Sequence, residues 1–208
     1  MVVERKFISD ALVKLRISKY LEKTLSKAGF SRVEIQKTPV ITRITVYVTN
    51  PGRVIGSGGQ TINALTEEIK NRFHIQNPQI SVAEVKNPKL EPRIIARYIA
   101  NSLERGANPR SLLHSVLRDV IAEGALGAEI IASGKLAAKG AKARTIKVRH
   151  GYIPKAGAVK NLVDEVHLTA YPKYGAIGVT VRIVQPGTVF PDREIKEVAL
   201  PKSIAEAK

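Results

Sequence analysis

Residues 53–60 read Arg-Val-Ile-Gly-Ser-Gly-Gly-Gln, and this stretch decides the fold of the first half of the chain. A Walker phosphate loop requires Lys followed by Ser or Thr directly after its last glycine, but Gln60 and Thr61 stand there. A dinucleotide fingerprint fails as well, because Thr61 occupies the position of its third glycine. The remaining functional interpretation is a Gly-x-x-Gly clamp from Gly56 to Gly59, whose bare backbone lets a sugar-phosphate chain approach closely.

The segments on either side favour a clamp over a merely flexible turn. Helical periodicity predicts one helix over residues 9–28, and alternation predicts a strand pair at 32–36 and 42–49. A second helix follows the glycines, and residues 79–85 supply a third strand. The expected apolar positions are Ala11, Leu12, Leu15, Leu21, Leu25 and Ala28 on the first helix, and Ile62, Leu65, Ile69 and Phe73 on the second. The predicted order is helix, strand, strand, glycine loop, helix, strand.

Prolines mark a domain boundary after this unit. Pro88 and Pro92 disfavour helix in the residues before them, so we predict domains at 1–86 and 87–187 and a loose tail at 188–208. In the second domain, Asn108 and Pro109 form an N-cap and first-turn pair. The expected elements are a helix with Ile95, Tyr98, Ile99 and Leu103, a helix with Leu113, Val116, Leu117 and Val120, and strands at 128–133, 145–149, 162–170 and 177–183. The fold class is therefore α+β.

The charge of the chain points to a polyanionic partner. Its 208 residues carry 34 Lys plus Arg against 18 Asp plus Glu, a formal net charge of +16. Two windows, 35–66 and 130–163, contain no acidic residue; the first surrounds the clamp, and the second holds eight cations without a counter-ion in sequence. The alternative is a basic surface that is exposed to solvent and binds nothing. The expected RNA-binding residues are Arg53, Gly56, Ser57, Gly58, Gly59 and Gln60 in the first window, and Lys135, Lys139, Lys142, Arg144, Lys147 and Arg149 in the second.

Composition argues against several other classes of protein. The chain has no cysteine, and we find no signal peptide and no run of about 18 apolar residues, so we expect a cytoplasmic protein. The four histidines show no metal-ligand spacing, and the adjacent carboxylates Asp164 and Glu165 point to opposite sides of a strand. We therefore expect no metal, no cofactor and no enzymatic activity.

The complete pattern resembles a known family. The helix and strand order around Gly56 and Gly59 is similar to a type II KH domain. The later strings resemble ribosomal protein three of the small subunit, in its archaeal and eukaryotic branch. They are Gly-Ala-Glu-Ile-Ile-Ala-Ser-Gly-Lys-Leu at 127–136, Gly-Tyr-Ile-Pro-Lys at 151–155 and Tyr-Gly-Ala-Ile-Gly-Val-Thr-Val at 174–181. The resemblance covers roughly residues 4–187.

The resemblance implies a place in the head of the small subunit, against ribosomal RNA and beside the channel through which messenger RNA enters. It also implies small-subunit proteins ten and fourteen as neighbours. Bacterial members carry a basic cluster, implicated in unwinding messenger RNA, on the helix that begins near Arg110. This chain keeps Arg110, which we count among the expected RNA-binding residues, but has Ser111 and His114 at the matching positions, so the unwinding role is not carried over.

Two other functions are compatible with basic charge. A KH-domain factor for RNA processing or assembly outside the ribosome would share the clamp, and the second domain argues against it. A nuclease or lyase would need a carboxylate cluster or histidine pair that could hold a metal, and the sequence offers neither.

Overall fold

The computed structural model describes residues 2–38, 41–75, 77–136, 142–173 and 175–191. The chain divides between Pro88 and Lys89 into two compact units, each with its own apolar core. The elements of the first unit are α1 (Val2–Thr24), β1 (Phe30–Lys37), β2 (Thr42–Val48), α2 (Pro51–Ile55), α3 (Gln60–Phe73) and β3 (Pro78–Glu84). Those of the second are α4 (Pro92–Glu104), α5 (Pro109–Ala122), β4 (Gly127–Gly134), β5 (Arg144–Gly151), β6 (Asp164–Ala170) and β7 (Ile177–Val184).

The sheet of the first unit has the order β1-β2-β3. β1 and β2 are antiparallel, as the predicted strand pair requires, and β3 adds to β2 in parallel after the two intervening helices. Alternate residues of β2, Ile44, Val46 and Val48, are completely buried. This confirms the face that alternation predicted, because successive side chains of a strand point to opposite sides of the sheet.

The apolar stripe predicted for α1 is partly wrong. Leu21 and Leu25 are buried as expected, together with Ile17, which the predicted stripe left out. Leu12 and Leu15 are exposed instead. Positions 17, 21 and 25 repeat every four residues and form one face of a helix, whereas 12 and 15 lie on another.

The glycine loop is preceded by a short helix that we did not predict. Residues Pro51–Ile55 form α2, so Arg53 belongs to a helical turn and not to the loop. Its start is favourable for a helix, because Pro51 occupies the first turn, where no backbone N–H is required. Val54 is buried against the core and fixes the orientation of the turn.

The second unit is a four-stranded antiparallel sheet covered on one face by two helices. The strand order is β5-β4-β7-β6, with α4 over β6 and β7 and α5 over β4 and β5. Ile130, Val181 and Leu113 meet in the core between the layers. The number of strands agrees with the sequence prediction.

Two details of the helices bear on that prediction. The side chain of Asn108 accepts a hydrogen bond of 3.1 Å from the backbone N–H of Arg110, which confirms the predicted N-cap. Tyr98, expected among the inward residues of α4, is exposed, while its neighbours Ile95 and Ile99 are buried. Position 98 lies on the outer edge of this helical stripe.

A small cluster extends the second unit beyond β7. Phe190 is buried with Val159 and Val184 and contacts the ring of Tyr152 edge-on at a centroid distance of 5.3 Å. Phe190, which we expected in a loose tail, therefore packs against the second unit, whereas Val189 beside it is exposed; residues 192–208 lie outside the described part. Across the described ranges, no helix combines the length and apolar character needed to cross a membrane.

Truncation of one buried α1 residue should test the assignment of the core face. Leu21→Ala removes a fully buried side chain and should lower the free energy of unfolding by about 2–5 kcal/mol. Leu12→Ala is the matched control, because the same change at an exposed position of the same helix should cost below about 1 kcal/mol. Urea unfolding of the two variants gives the comparison, and equal losses would contradict the assignment.

Candidate nucleic-acid interface

The predicted clamp is built from three glycines with left-handed backbone angles. Gly56 ends α2 with φ 72° and donates its N–H to the carbonyl oxygen of Gly52 at 2.9 Å. Gly58 and Gly59 follow with φ 60° and 78°, and α3 begins at Gln60. Residues other than glycine are disfavoured at such backbone angles, so the bend depends on these three glycines.

Gly56 and Gly58 serve different purposes in this bend. A Cβ atom added at Gly56 would lie 2.1 Å from the hydroxyl oxygen of Thr61, so α3 packs directly against the bare backbone. A Cβ atom at Gly58 would have no heavy atom within 4 Å, and the backbone there is exposed. The first glycine therefore holds the helix in place, while the second leaves open the surface that a phosphate backbone could approach.

The charges around the bend favour an anion. The first turn of α3 contains no acidic residue, and its N–H groups and helix dipole attract negative charge. The side chains of Arg53, Ser57 and Gln60 are exposed around the bend. All six residues predicted for the clamp therefore lie on one continuous stretch of backbone between Arg53 and the start of α3.

The second predicted region lies mainly at one end of the second sheet. Lys135 directly follows β4, and Lys142 and Arg144 lead into β5; Gly134 pairs with Arg144 across the hairpin. Lys139 lies outside the described residues. The hairpin therefore brings three of the predicted cations together.

Arg110 joins this group through the direction of α5. The helix packs on β4 and β5 and is joined to β4 by residues 123–126 only, so the helix and the strand run in opposite directions. The first turn of α5, with the exposed Arg110, consequently lies toward the end of β4 that Lys135 follows. Lys173, in the β6–β7 connection, is also at this end, because Ile177 pairs with Gly134. We call Arg110, Lys135, Lys142, Arg144 and Lys173 the basic end.

Lys173 was missed by the sequence analysis. It lies beyond Asp164 and Glu165, which close the acid-free window, and only strand pairing brings it beside the β4–β5 hairpin. Arg149, in contrast, was predicted with the hairpin cations but lies five residues further along β5, about 17 Å away. Arg149 therefore lies apart from the hairpin cations, which were also predicted to bind RNA.

Two cations of this region, Lys147 and Lys155, have a counter-ion that the sequence window did not show. Glu129, one residue before the acid-free window, is 1% exposed, and its Oε1 lies 2.6 Å from Lys147 Nζ and 3.3 Å from Lys155 Nζ. Its Oε2 accepts a hydrogen bond of 2.8 Å from Arg182 Nη1. Lys147, which was predicted to bind RNA, is therefore held by a buried carboxylate.

The pairing continues across the open face of the sheet. Arg149, Glu129, Arg182 and Glu165 stand opposite one another on β5, β4, β7 and β6, so positive and negative charges alternate. Arg182 also bonds Glu165, with its Nη2 2.6 Å from Oε1. We call Glu129, Lys147, Lys155, Glu165 and Arg182 the ion network.

The ion network determines the protonation of its carboxylates. Burial alone would raise the pKa of Glu129, but hydrogen bonds from Lys147, Arg182 and Lys155 outweigh this effect and lower the pKa to about 2. The hydrogen bond from Arg182 likewise lowers the pKa of Glu165. Both groups are therefore ionised at neutral pH, and their cations are occupied within the protein.

The other titratable groups in the described part of the chain form no metal centre. The described ranges contain no group of three or more His, Cys, Asp or Glu residues placed to hold a metal ion. His167 lies against Glu165, with its Nε2 3.1 Å from Oε1, and against the Thr180 hydroxyl at 2.9 Å. These contacts place His167 among the polar side chains on the open face of the sheet.

The Gly56 packing should make the clamp sensitive to one methyl group. Gly56→Ala places a Cβ against Thr61 at a left-handed backbone position, which should lower the free energy of unfolding by about 2 kcal/mol or more. It should also speed hydrogen exchange in the first turn of α3 and weaken binding of a short single-stranded RNA. Gly52→Ala is the control, since a Cβ there meets nothing within 4 Å; equal effects of the two changes would contradict this packing.

Glu129 should contribute stability in a defined pH range. Its folded pKa of about 2 lies below the ordinary 4.5, so its contribution is complete above about pH 4.5 and is lost as the pH falls toward 2. That difference corresponds to roughly 3 kcal/mol. Glu129→Gln should therefore be less stable by about this amount at pH 6, and the gap should shrink at pH 3 in urea unfolding.

The control for this change is Glu123→Gln. Glu123 makes an exposed ion pair with Lys89 at 2.9 Å, which is worth below about 1 kcal/mol at any pH. A Glu129→Gln deficit that stayed constant from pH 6 to pH 3 would show that the carboxylate acts through packing and not through its charge.

Comparisons with known proteins agree with this architecture. A family model described as KH domain matches residues 16–90, and one described as Ribosomal protein S3, C-terminal domain, matches residues 99–183. The chain is 42% identical to the small ribosomal subunit protein uS3 of Methanocorpusculum labreanum, over 97% of this chain and 87% of that protein. It is 41% identical to the uS3 protein of Methanococcus maripaludis, over 95% and 96% of the two chains. With both domains in order and this identity along nearly its whole length, the chain belongs to the small ribosomal subunit protein uS3 family.

Proposed function

We propose that this chain is a structural constituent of the small ribosomal subunit and that it binds ribosomal RNA. The observation that carries this proposal is the identity of about 40% with relatives named small ribosomal subunit protein uS3, along nearly the whole chain. The role involves no chemical reaction. As a ribosomal component the protein acts in the cytoplasm.

The clamp supports RNA binding in the first unit. The exposed backbone at Gly58, the N-terminus of α3 and the nearby Arg53 offer hydrogen-bond donors and positive charge to a sugar-phosphate backbone. Because Ser57 and Gly58 carry no charge, the contact depends mainly on backbone groups together with Arg53 and Gln60.

The basic end supports phosphate binding in the second unit. The Lys142 and Arg144 side chains are exposed there without an acidic partner among the described residues, in contrast to Lys147 in the ion network. Lys135 and Arg110 add to the same surface. We assign the RNA contact of this unit to these cations, with Lys147 and Arg149 at its margin.

The finer placement is part of the same proposal. We infer a position in the subunit head, beside the channel through which messenger RNA enters, with Arg110 toward that path and small-subunit proteins ten and fourteen as neighbours. The exposed position of Arg110 in the first turn of α5 is compatible with a contact to messenger RNA. A KH factor acting outside the ribosome is disfavoured, because the second unit matches a ribosomal domain over residues 99–183.

Sedimentation tests the ribosomal role directly. The full-length chain, expressed with a tag in its source organism, should sediment with small subunits at both low and moderate salt. A protein that remained free of small subunits under both conditions would overturn the proposal. If the fragment 1–86 alone sedimented as tightly as the full chain, the second unit would have no part in the function.

The assignment of the basic end has a separate test. The triple variant Lys135→Gln/Lys142→Gln/Arg144→Gln should bind duplex RNA more weakly, and its log-log salt slope should be shallower by about 2–3. The matched control Lys14→Gln/Arg16→Gln/Lys19→Gln removes the same charge from α1 and should leave the slope nearly unchanged. Filter binding over a salt series measures both, and equal slopes for the two triple variants would refute the assignment.

A further inference from the structure

Helix α1 carries both a buried and an exposed set of apolar side chains. One face, with Ile17 and Leu21, is buried in the core of the first unit. The other consists of Phe7, Ile8, Leu12 and Leu15, which are 72%, 62%, 47% and 51% exposed. At 100° per residue these four positions span about 140° of the helix surface, and the centre of that span lies about 130° around the helix from the midpoint between Ile17 and Leu21. We call them the outer stripe.

The outer stripe is unusual for its concentration. Scattered exposed apolar residues are normal in a soluble protein, but a contiguous patch indicates an interaction surface. Four of the ten large apolar side chains that are exposed in the described part of the chain lie on these three turns of one helix. None of the four side chains belongs to the core cluster of the first unit or to the partly buried side chains that pack against it.

Basic side chains border the outer stripe. Lys14 lies on one edge and Arg16 on the other, and Lys19 follows one turn after Leu15. None of these three cations has an ion-pair partner among the residues that the structure describes. The acidic residues of α1 are placed elsewhere: Asp10 pairs with Lys37 at 3.0 Å, and Glu4 and Glu22 lie beyond the two ends of the stripe.

A cavity of about 390 Å³ adjoins the Lys14 edge. Its apolar floor is formed by Val13, Ile17, Ile35, Phe73 and Ile75, and its rim by Asp10, Lys14, Lys37, Thr38, Thr42 and His74. The cavity lies at the carboxyl end of α3, whereas the clamp lies at the amino end of that helix. An apolar side chain of a partner bound on the stripe could therefore pack against the apolar floor of this cavity, which has positive charge at its rim and lies away from the RNA clamp.

We propose that the outer stripe docks an acidic, apolar segment of another protein of the small subunit, an inference that rests on the function proposed above. The segment covers Phe7, Ile8, Leu12 and Leu15, and its carboxylates pair with Lys14, Arg16 and Lys19. Nucleic acid is a poorer occupant, because a sugar-phosphate backbone satisfies cations but offers no aliphatic cover for four exposed apolar side chains.

Photo-cross-linking from the stripe tests this proposal in the assembled subunit. The full chain carries benzoylphenylalanine in place of Phe7 or, as a control, of Tyr98, an exposed aromatic residue on α4. Small subunits containing either form are purified, irradiated and divided, and one half is treated with ribonuclease. Position 7 should yield a ribonuclease-resistant adduct with another small-subunit protein, absent from position 98, whose cross-linked peptide contains carboxylates and apolar residues.

A charge variant then tests the flanking cations. Lys14→Glu/Arg16→Glu in the Phe7-substituted chain should lower the yield of that adduct at least fivefold. Lys70→Glu/Lys86→Glu makes the same change in charge at exposed positions of the same unit and should leave the yield within twofold.

The outcomes separate this proposal from the ribosomal one. Failure of the substituted chain to sediment with small subunits would count against the ribosomal role, provided that the unsubstituted chain also fails. Chains that sediment normally but cross-link from position 7 to RNA, to their own residues, to a second copy or to nothing would overturn the docking proposal alone. Equal yields in the two charge variants would also overturn it.

Discussion

The buried carboxylate of Glu129 decides how the second unit uses its positive charge. Three cations converge on one side chain that is almost inaccessible to water, and Arg182 carries the pairing on to Glu165. Removing such a charge from water is costly unless its partners are close. Arg182 lies directly opposite Glu129 on β7, Lys147 lies diagonally on β5, and Lys155 comes from the segment after β5. The cations outside this network, at the basic end, are the ones left for a polyanion. The cations of the second unit thus divide into a structural set and a functional set.

The first unit offers a surface for a polyanion with little side-chain charge. Its clamp depends on backbone that only glycine can form and on the contact between Gly56 and Thr61. The two units therefore offer RNA different chemistry: oriented backbone donors in one, and lysine and arginine side chains in the other. A backbone clamp senses the shape of a strand, whereas lysine and arginine respond mainly to phosphate density and salt.

Sequence patterns predicted the helices and strands better than they predicted which residues meet in the folded chain. Strict alternation in β2 predicted the buried face of Ile44, Val46 and Val48, because strand geometry leaves two choices and only one is apolar. In α1 both faces are apolar, so periodicity could not distinguish Leu12 and Leu15 from Ile17; packing against the sheet decides. The five-residue helix α2 is too short to show a period. The positions of Glu129 and Lys173 beside the predicted cations could not be found without the strand register, which brings together residues that are far apart in sequence.

The parallel pairing of β3 with β2 has a consequence for a chain made from its amino end. β1 and β2 are neighbours in sequence and can pair early, but one edge of β2 stays open until residues 78–84 have been synthesised. The glycine bend lies within that interval, between two strands that are not yet joined. The helices on both sides of the bend, α2 and α3, contact β3. Part of the packing that surrounds the clamp is therefore absent until β3 has been added to the sheet.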